Sequence, residues 1–339
     1  MCGIAGFSLR QGVAQRTMLG TMAAALAHRG PDGEGFFSFL NMGLAHRRLS
    51  ILDLAGGRQP LEVKDRKAPV AAVVNGEIYN YRHLQMQLQA EGVALATDSD
   101  SEPVLHLIMR HEGAAFRHVE GMYAVAVADG RTGDMWLGID PFGIKPLYYV
   151  ETDKGFAFAS EPRALVAAGW VKAAVNTAVL GGLLHQHYSR GSGTLFQGIH
   201  RMLPGERFRV REGKIVERWR QLPVLRATPH EMGLDEALGQ FDRQFLPAVE
   251  RHLQSDVPYG VLLSGGLDSS SLVVAMAKLG VPIHAYTATF GQAGDEGEAA
   301  AALAARVGAT HTTVTYGADD FWAGLPELAA AMDDLTTDY

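Results

Sequence analysis

The only cysteine of the 339-residue chain stands second, in Met1-Cys2-Gly3-Ile4-Ala5-Gly6-Phe7. With Met1 removed, Cys2 would carry a thiol and a free α-amine, so nucleophile and base would sit on one residue. An α-amine titrates near pH ~8 and a thiol near ~8.5, so the two can share a proton without a histidine. A small residue behind Met1 also suits N-terminal processing, and Met-Cys alone leaves both readings open.

A second stretch runs Val261-Leu262-Leu263-Ser264-Gly265-Gly266-Leu267-Asp268-Ser269-Ser270. It reads as an apolar strand, a glycine turn and a hydroxyl-rich helix start. Such a turn presents successive backbone amides beside the positive end of a helix dipole, which makes a phosphate site. No Gly-Lys-Ser/Thr follows, so it is not a Walker loop and γ-phosphoryl transfer is not expected. The plainer alternative is a helix capped by Asp268 or Ser269; it suits a lone Gly-Gly better than this whole string.

Composition narrows the classes. The net charge is -7 with acids and bases interspersed, which gives no basic stripe and argues against a nucleic-acid partner. A single cysteine precludes an internal disulfide and fits a reducing compartment. The chain does not open on a basic segment followed by an apolar one, and no run of about eighteen apolar residues occurs. A soluble, cytoplasmic protein without a membrane partner is expected. None of the 13 histidines stands in a His-Glu-Xaa-Xaa-His arrangement, so no metal site is expected.

The elements that must position these residues follow from periodicity and turn signals. Helical spacing predicts helices at 17–27, 81–90 and 102–110; strands are predicted at 36–40, 43–49, 69–74, 121–129, 134–140 and 156–159. The strand at 69–74 delivers Asn75-Gly76-Glu77-Ile78-Tyr79-Asn80 to its end. Many strands with helices in two groups predict a layered α+β sandwich, two sheets covered by helices, over residues 1–219. A linker is predicted at 220–229, and a Thr228-Pro229-His230-Glu231 capping box should start a helix that Pro247 kinks. Beyond 256, strands at 259–263, 283–290 and 311–315 alternate with helices at 270–279, 296–307 and 319–332, which predicts a parallel sheet in residues 230–339.

Both halves then point to one family. Cys2-Gly3-Ile4, Arg48-Leu49-Ser50-Ile51, Asn75-Gly76-Glu77-Ile78-Tyr79-Asn80, Ser99-Asp100 and Gly143-Ile144-Lys145-Pro146-Leu147-Tyr148-Tyr149 resemble the glutamine-hydrolysing domain of class II amidotransferases. The 264–269 segment looks like the pyrophosphate loop of the ATP-pyrophosphatase fold. In this order, the two are similar to glutamine-dependent asparagine synthetases. The resemblance implies an N-terminal nucleophile sandwich of α/β/β/α layers, followed by a parallel-sheet nucleotide-binding domain.

The resemblance also implies roles. Cys2 would attack the glutamine side-chain amide, and Asn75 with the Gly76 amide would hold the oxyanion. Arg48 would bind the α-carboxylate and Asp100, with Glu77, the α-ammonium; Leu49, Ser50, Ile51 and Leu52 would complete the glutamine site. ATP with Mg²⁺ would meet Leu263, Ser264, Gly265, Gly266, Asp268, Ser269 and Ala288. A substrate carboxylate, aspartate in the family, would form an acyl-adenylate that ammonia resolves. A homodimer is expected only by analogy. Taken singly, Arg48 reads equally as a surface ion pair and Asp100 as a helix cap; their occurrence together with Cys2 and Asn75-Gly76 favours a site.

Departures accompany the matches. The family has a second Ser-Gly-Xaa-Gly-Xaa-Asp-Glu loop and a downstream lysine that this sequence lacks, so a truncated chain with an incomplete ligase domain and an uncovered sheet face is expected. Ile139 and Pro162 stand where other residue types are usual. A relative amidating another carboxylate, or a regulator that binds glutamine and ATP without turnover, remains open at this stage.

Overall fold

The computed structural model describes residues 1–65, 67–223, 231–291 and 295–334. The chain divides into two compact units, Met1–Val224 with Met332–Tyr339, and Leu225–Ala331.

The first unit opens with β1 (Gly3–Leu9), α1 (Arg16–Ala25), β2 (Gly33–Phe39), β3 (Met42–Arg48), β4 (Leu61–Lys64) and β5 (Pro69–Ile78). Then come α2 (Tyr81–Ala90), α3 (Glu102–His111), β6 (Gly121–Asp129), β7 (Asp134–Ile139), β8 (Tyr148–Thr152) and β9 (Gly155–Ala159). It continues with α4 (Pro162–Ala167), α5 (Thr177–Gln186), β10 (His200–Arg201), β11 (Glu206–Arg211) and β12 (Lys214–Arg220). The strands form two antiparallel sheets, ordered β10-β8-β9-β1-β3-β2 and β12-β11-β7-β6-β5-β4.

Strand alternation builds the layers. On β3, Met42 and Leu44 join Ile4, Phe156 and Phe158 in the core between the sheets, against Ala71, Val73, Ala126, Leu137 and Phe208 of the second sheet. The opposite face of β5, with Val70, Ala72 and Val74, packs on Leu84 of α2 and on Leu105 and Ile108 of α3. Ala5 and Phe7 of β1 pack on Leu19 and Met22 of α1 and on Leu165 of α4. Helix, sheet, sheet and helix layers result, as the resemblance implies. The same alternation sends Cys2, Ile4, His46, Arg48 and Asn75 toward the gap between the sheets, at the end where β1 begins and β5 finishes.

The second unit contains α6 (Leu234–His252), β13 (Val261–Leu262), α7 (Leu267–Lys278), β14 (His284–Thr289), α8 (Gly297–Val307), β15 (Thr310–Thr315) and most of α9 (Ala318–Met332). Its strands pair in parallel in the order β13-β14-β15. The expected strand at 259–263 shrinks to two residues, because β13 is an edge strand whose ladder holds only Val261↔Ala285 and Leu262↔Tyr286. Helix α6 runs through Pro247. The capping box expected at 228–231 falls largely outside the described residues.

Candidate active site

Cys2 sits just before β1, and side chains from elsewhere clamp it. Ile4 N–H donates to Ser160 Oγ at 2.9 Å, and Arg29 Nε donates to the Cys2 carbonyl at 3.0 Å. Arg29 is held in turn by Glu161, at 2.8 Å. The thiol receives the Leu49 N–H at 3.4 Å. Burial pushes the Cys2 thiol above its ordinary value, more than the Leu49 N–H and the nearby Met1 amine pull it down. At neutral pH the sulfur therefore keeps its proton until a base accepts it. Met1 is present in this chain, so the Cys2 nitrogen is a peptide nitrogen; burial lowers the Met1 amine.

The Asn75-Gly76 pair owes its character to where β4 ends. Gly76 lies opposite Tyr123 on β6, and Tyr123 turns both its backbone groups to Asp140, donating to Oδ2 and accepting from the Asp140 N–H. Gly76 and its even-numbered neighbours therefore direct their backbone groups away from β6, toward β4. The β4 ladder stops at Leu61↔Ala72, so β5 has an open edge from Val74 onward. Side chains fill that edge. Val74 N–H donates to Gln59 Oε1 at 2.6 Å, His46 Nε2–H donates to the Val74 carbonyl at 3.2 Å, and Ile78 N–H donates to Asp100 Oδ2 at 2.8 Å. Between these fixed points the Gly76 N–H faces the cleft. Only glycine suits this position: φ is +154°, and a Cβ would come within 2.0 Å of the Met122 carbonyl. The Asn75 Nδ2, in a side chain only 1% exposed, is buried without a partner among the described residues.

One open cleft collects these groups, lined by Cys2, Arg48, Leu49, Ile51, Leu52, Asn75, Gly76, Glu77 and Asp100 among others. Asp100 is 6% exposed and accepts hydrogen bonds from Ile78 N–H and Ser101 Oγ. Burial raises it above the usual carboxylate range despite those bonds. Glu102 anchors the Asp100 loop through the Ala96 and Thr97 amides. Its burial opposes ionisation, but the bonds from His106, Ala96 and Thr97 outweigh it and hold Glu102 at about 2.

Two of the expected site residues are placed differently from the others. Ser50 does not line the cleft; its N–H is taken by Asp32 at 2.7 Å. The terminal nitrogens of Arg48 are not a free fork, since they donate to the carbonyls of Leu52, Asp53 and Leu54 at 3.2, 2.6 and 3.1 Å and so hold that loop against the cleft.

Sequence reasoning also missed several residues. Lys145, 8% exposed, lines the cleft and is lowered by burial. Asp140 fixes its loop by accepting the N–H groups of Phe142, Ile144 and Lys145. Gln59 and His46 carried no signal beyond their polarity, because their partners depend on which strands are neighbours.

In the second unit, Ser264, Gly265 and Gly266 form the turn from β13 into α7, whose first turn carries Asp268 and Ser269. Ser269 Oγ lies 2.9 Å from Ser264 Oγ and receives the Ser264 N–H, which closes the turn from within. No side chain caps the helix start at Gly266. Leu263 and Ala288 stand at neighbouring strand ends, but their side chains take opposite faces: that of Leu263 is buried in the core with Val273 and Met276, whereas Ala288 lies on the exposed face of β14.

Residues 1–220 match the family model of the glutamine amidotransferase domain, and residues 240–339 match that of asparagine synthase. The chain belongs to the glutamine-hydrolysing asparagine synthetase family. It is similar to asparagine synthetase [glutamine-hydrolyzing] 1 of Bacillus subtilis, with 30% identity over 100% of this chain and 54% of that one. It is also similar to asparagine synthetase 3 of the same organism, with 32% identity over 85% of this chain and 48% of that one. The chain thus spans about half the length of these synthetases. In fold it resembles the solved allosteric regulatory enzyme of purine biosynthesis, with a TM-score of 0.50 at 16% identity over 93% of this chain and 80% of that one. Among the described residues, no helix of this family member is long and apolar enough to cross a membrane.

Proposed function

We propose that the first unit hydrolyses the side-chain amide of glutamine at Cys2, and that the whole protein uses the ammonia to amidate a carboxylate, aspartate giving asparagine, as ATP is cleaved to AMP and diphosphate. The observation that carries this reading is the unpartnered, buried Asn75 amide beside the Gly76 N–H, on the same cleft as the Cys2 thiol. After removal of Met1, the Cys2 amine takes the thiol proton as sulfur bonds to the amide carbon. The carbonyl oxygen becomes an anion between Asn75 Nδ2 and Gly76 N–H, donors of a kind worth about 3 kcal/mol each. The amine then protonates the departing nitrogen, leaving a glutamyl thioester that water cleaves. Asp100 takes the α-ammonium with Glu77, and Arg48 keeps the 52–54 loop in place around the α-carboxylate.

In the second unit the 264–269 turn would receive diphosphate oxygens on its backbone amides. Mg²⁺ enters this reading only as the companion of the nucleotide. Among the described residues no group of three His, Cys, Asp or Glu side chains could hold a metal, and Asp268 is the one acid of the turn. Hydroxylamine tests the covalent step: with glutamine it should intercept the thioester as γ-glutamyl hydroxamate. If glutamate forms but hydroxamate does not, at any hydroxylamine concentration, the thioester route is wrong.

A further inference from the structure

We propose that Gln59 and His46 are positioning residues that set the oxyanion donors by standing in for the strand that β4 does not supply. This rests on the glutaminase reading of Cys2. Both backbone groups of Val74 are held by side chains, its N–H by Gln59 Oε1 at 2.6 Å and its carbonyl by His46 Nε2–H at 3.2 Å. The Val74 carbonyl belongs to the peptide plane that carries the Asn75 nitrogen. Its orientation therefore sets the direction of the Asn75 side chain and, one peptide later, of the Gly76 N–H. Two residues beyond, Asp100 fixes Ile78 N–H. In an uninterrupted sheet, a neighbouring strand would bond Val74, Gly76 and Ile78 alike and would consume the Gly76 donor. Replacing that strand with individual side chains leaves one donor free at a chosen position.

The two residues come from different places: Gln59 from the loop before β4, and His46 from β3 of the facing sheet, two residues before Arg48. Together they hold the two peptides on either side of the Val74 Cα, His46 the one that carries the Asn75 nitrogen and Gln59 the one before it. Neither residue needs to touch the reacting atoms, so the expected signature is a loss of turnover that depends on the Asn75 amide.

The test uses the full chain with Met1 removal verified by intact mass, L-glutamine as probe, and glutamate release as readout. Gln59→Leu should lower kcat by about 10- to 100-fold, less than the roughly 10²- to 10³-fold expected for losing an oxyanion donor outright, with KM changed less than threefold. Gln59→Glu, whose carboxylate can still accept the Val74 N–H, should recover most of that loss. In an Asn75→Ala background, Gln59→Leu should cost less than half as much on a logarithmic scale, because the donor it positions is already absent. His46→Leu should behave in the same way, with His46→Gln as its rescue. Equal losses in both backgrounds, or a loss wholly in KM, would overturn the positioning role while leaving the glutaminase reading intact. No glutamate from the wild-type chain would overturn both.

Discussion

The two units solve the problem of an exposed β-sheet in opposite ways. In the first, both sheets are covered on both faces, and the open edge of β5 after β4 ends is filled by Gln59, His46 and Asp100. In the second, Ala285, Thr287 and Thr289 of β14 face a core with Leu263 and Met276, while His284, Tyr286 and Ala288 lie exposed on the other face, and Leu262 is 80% exposed. A site made by interrupting a ladder needs rigid surroundings, and the first unit provides them. The 264–269 turn of the second unit is closed by its own serines, so it is formed locally.

If this contrast holds, the largest effect of the following substitutions should fall on turnover in the first unit. Asn75→Ala removes an orphaned donor and should reduce kcat about 10²- to 10³-fold with little change in folding, as glutamate release and thermal unfolding would report. A fall in stability matching the fall in rate would instead make Asn75 a packing residue.

Leu44→Ala opens the core between the sheets and should cost about 2–5 kcal/mol in denaturant unfolding of the first unit. A cost under 1 kcal/mol would mean that this interface is not tightly packed.

Acid should expose the buried His46. Burial lowers it from an ordinary 6.5 to about 4 in the folded chain, so between those values the unfolded state binds more protons. Stability is then full above 6.5 and falls as pH drops toward 4, by about 2 kcal/mol between pH 7 and 5. His46→Gln should flatten that slope; an unchanged slope would assign it to other groups.

The smallest effect is expected in the second unit. Tyr286→Ser, on the exposed face of β14, should shift its unfolding by no more than about 0.5 kcal/mol. A larger loss would show that this face is packed against something.

What the sequence revealed was local chemistry, and what it hid was neighbourhood. Helix α2 was legible to the residue, from Leu84 and Leu88 on one face and the break at Gly92. Cys2, Asn75, Gly76 and Asp100 were legible as motif positions, and the structure gathers all four on one cleft. Gln59 and His46 were not, because their role exists only once β4 ends at Leu61 and the two sheets face each other. The bonds of Arg48 were hidden for the same reason, because its carbonyl partners at 52–54 are set by how that loop folds around it. Leu263 and Ala288 look alike as strand-end apolar residues, and only the alternation of the sheet assigns them to opposite faces.

The most direct measurement is glutamate release from L-glutamine by the full chain, with Met1 removal confirmed by intact mass and Cys2→Ala run beside it. Sustained release by the wild type, and at least about 10³-fold less from the variant, is the predicted result. No release from a chain whose Cys2 amine is free, or equal release from Cys2→Ala, would contradict the assignment of Cys2 as the nucleophile.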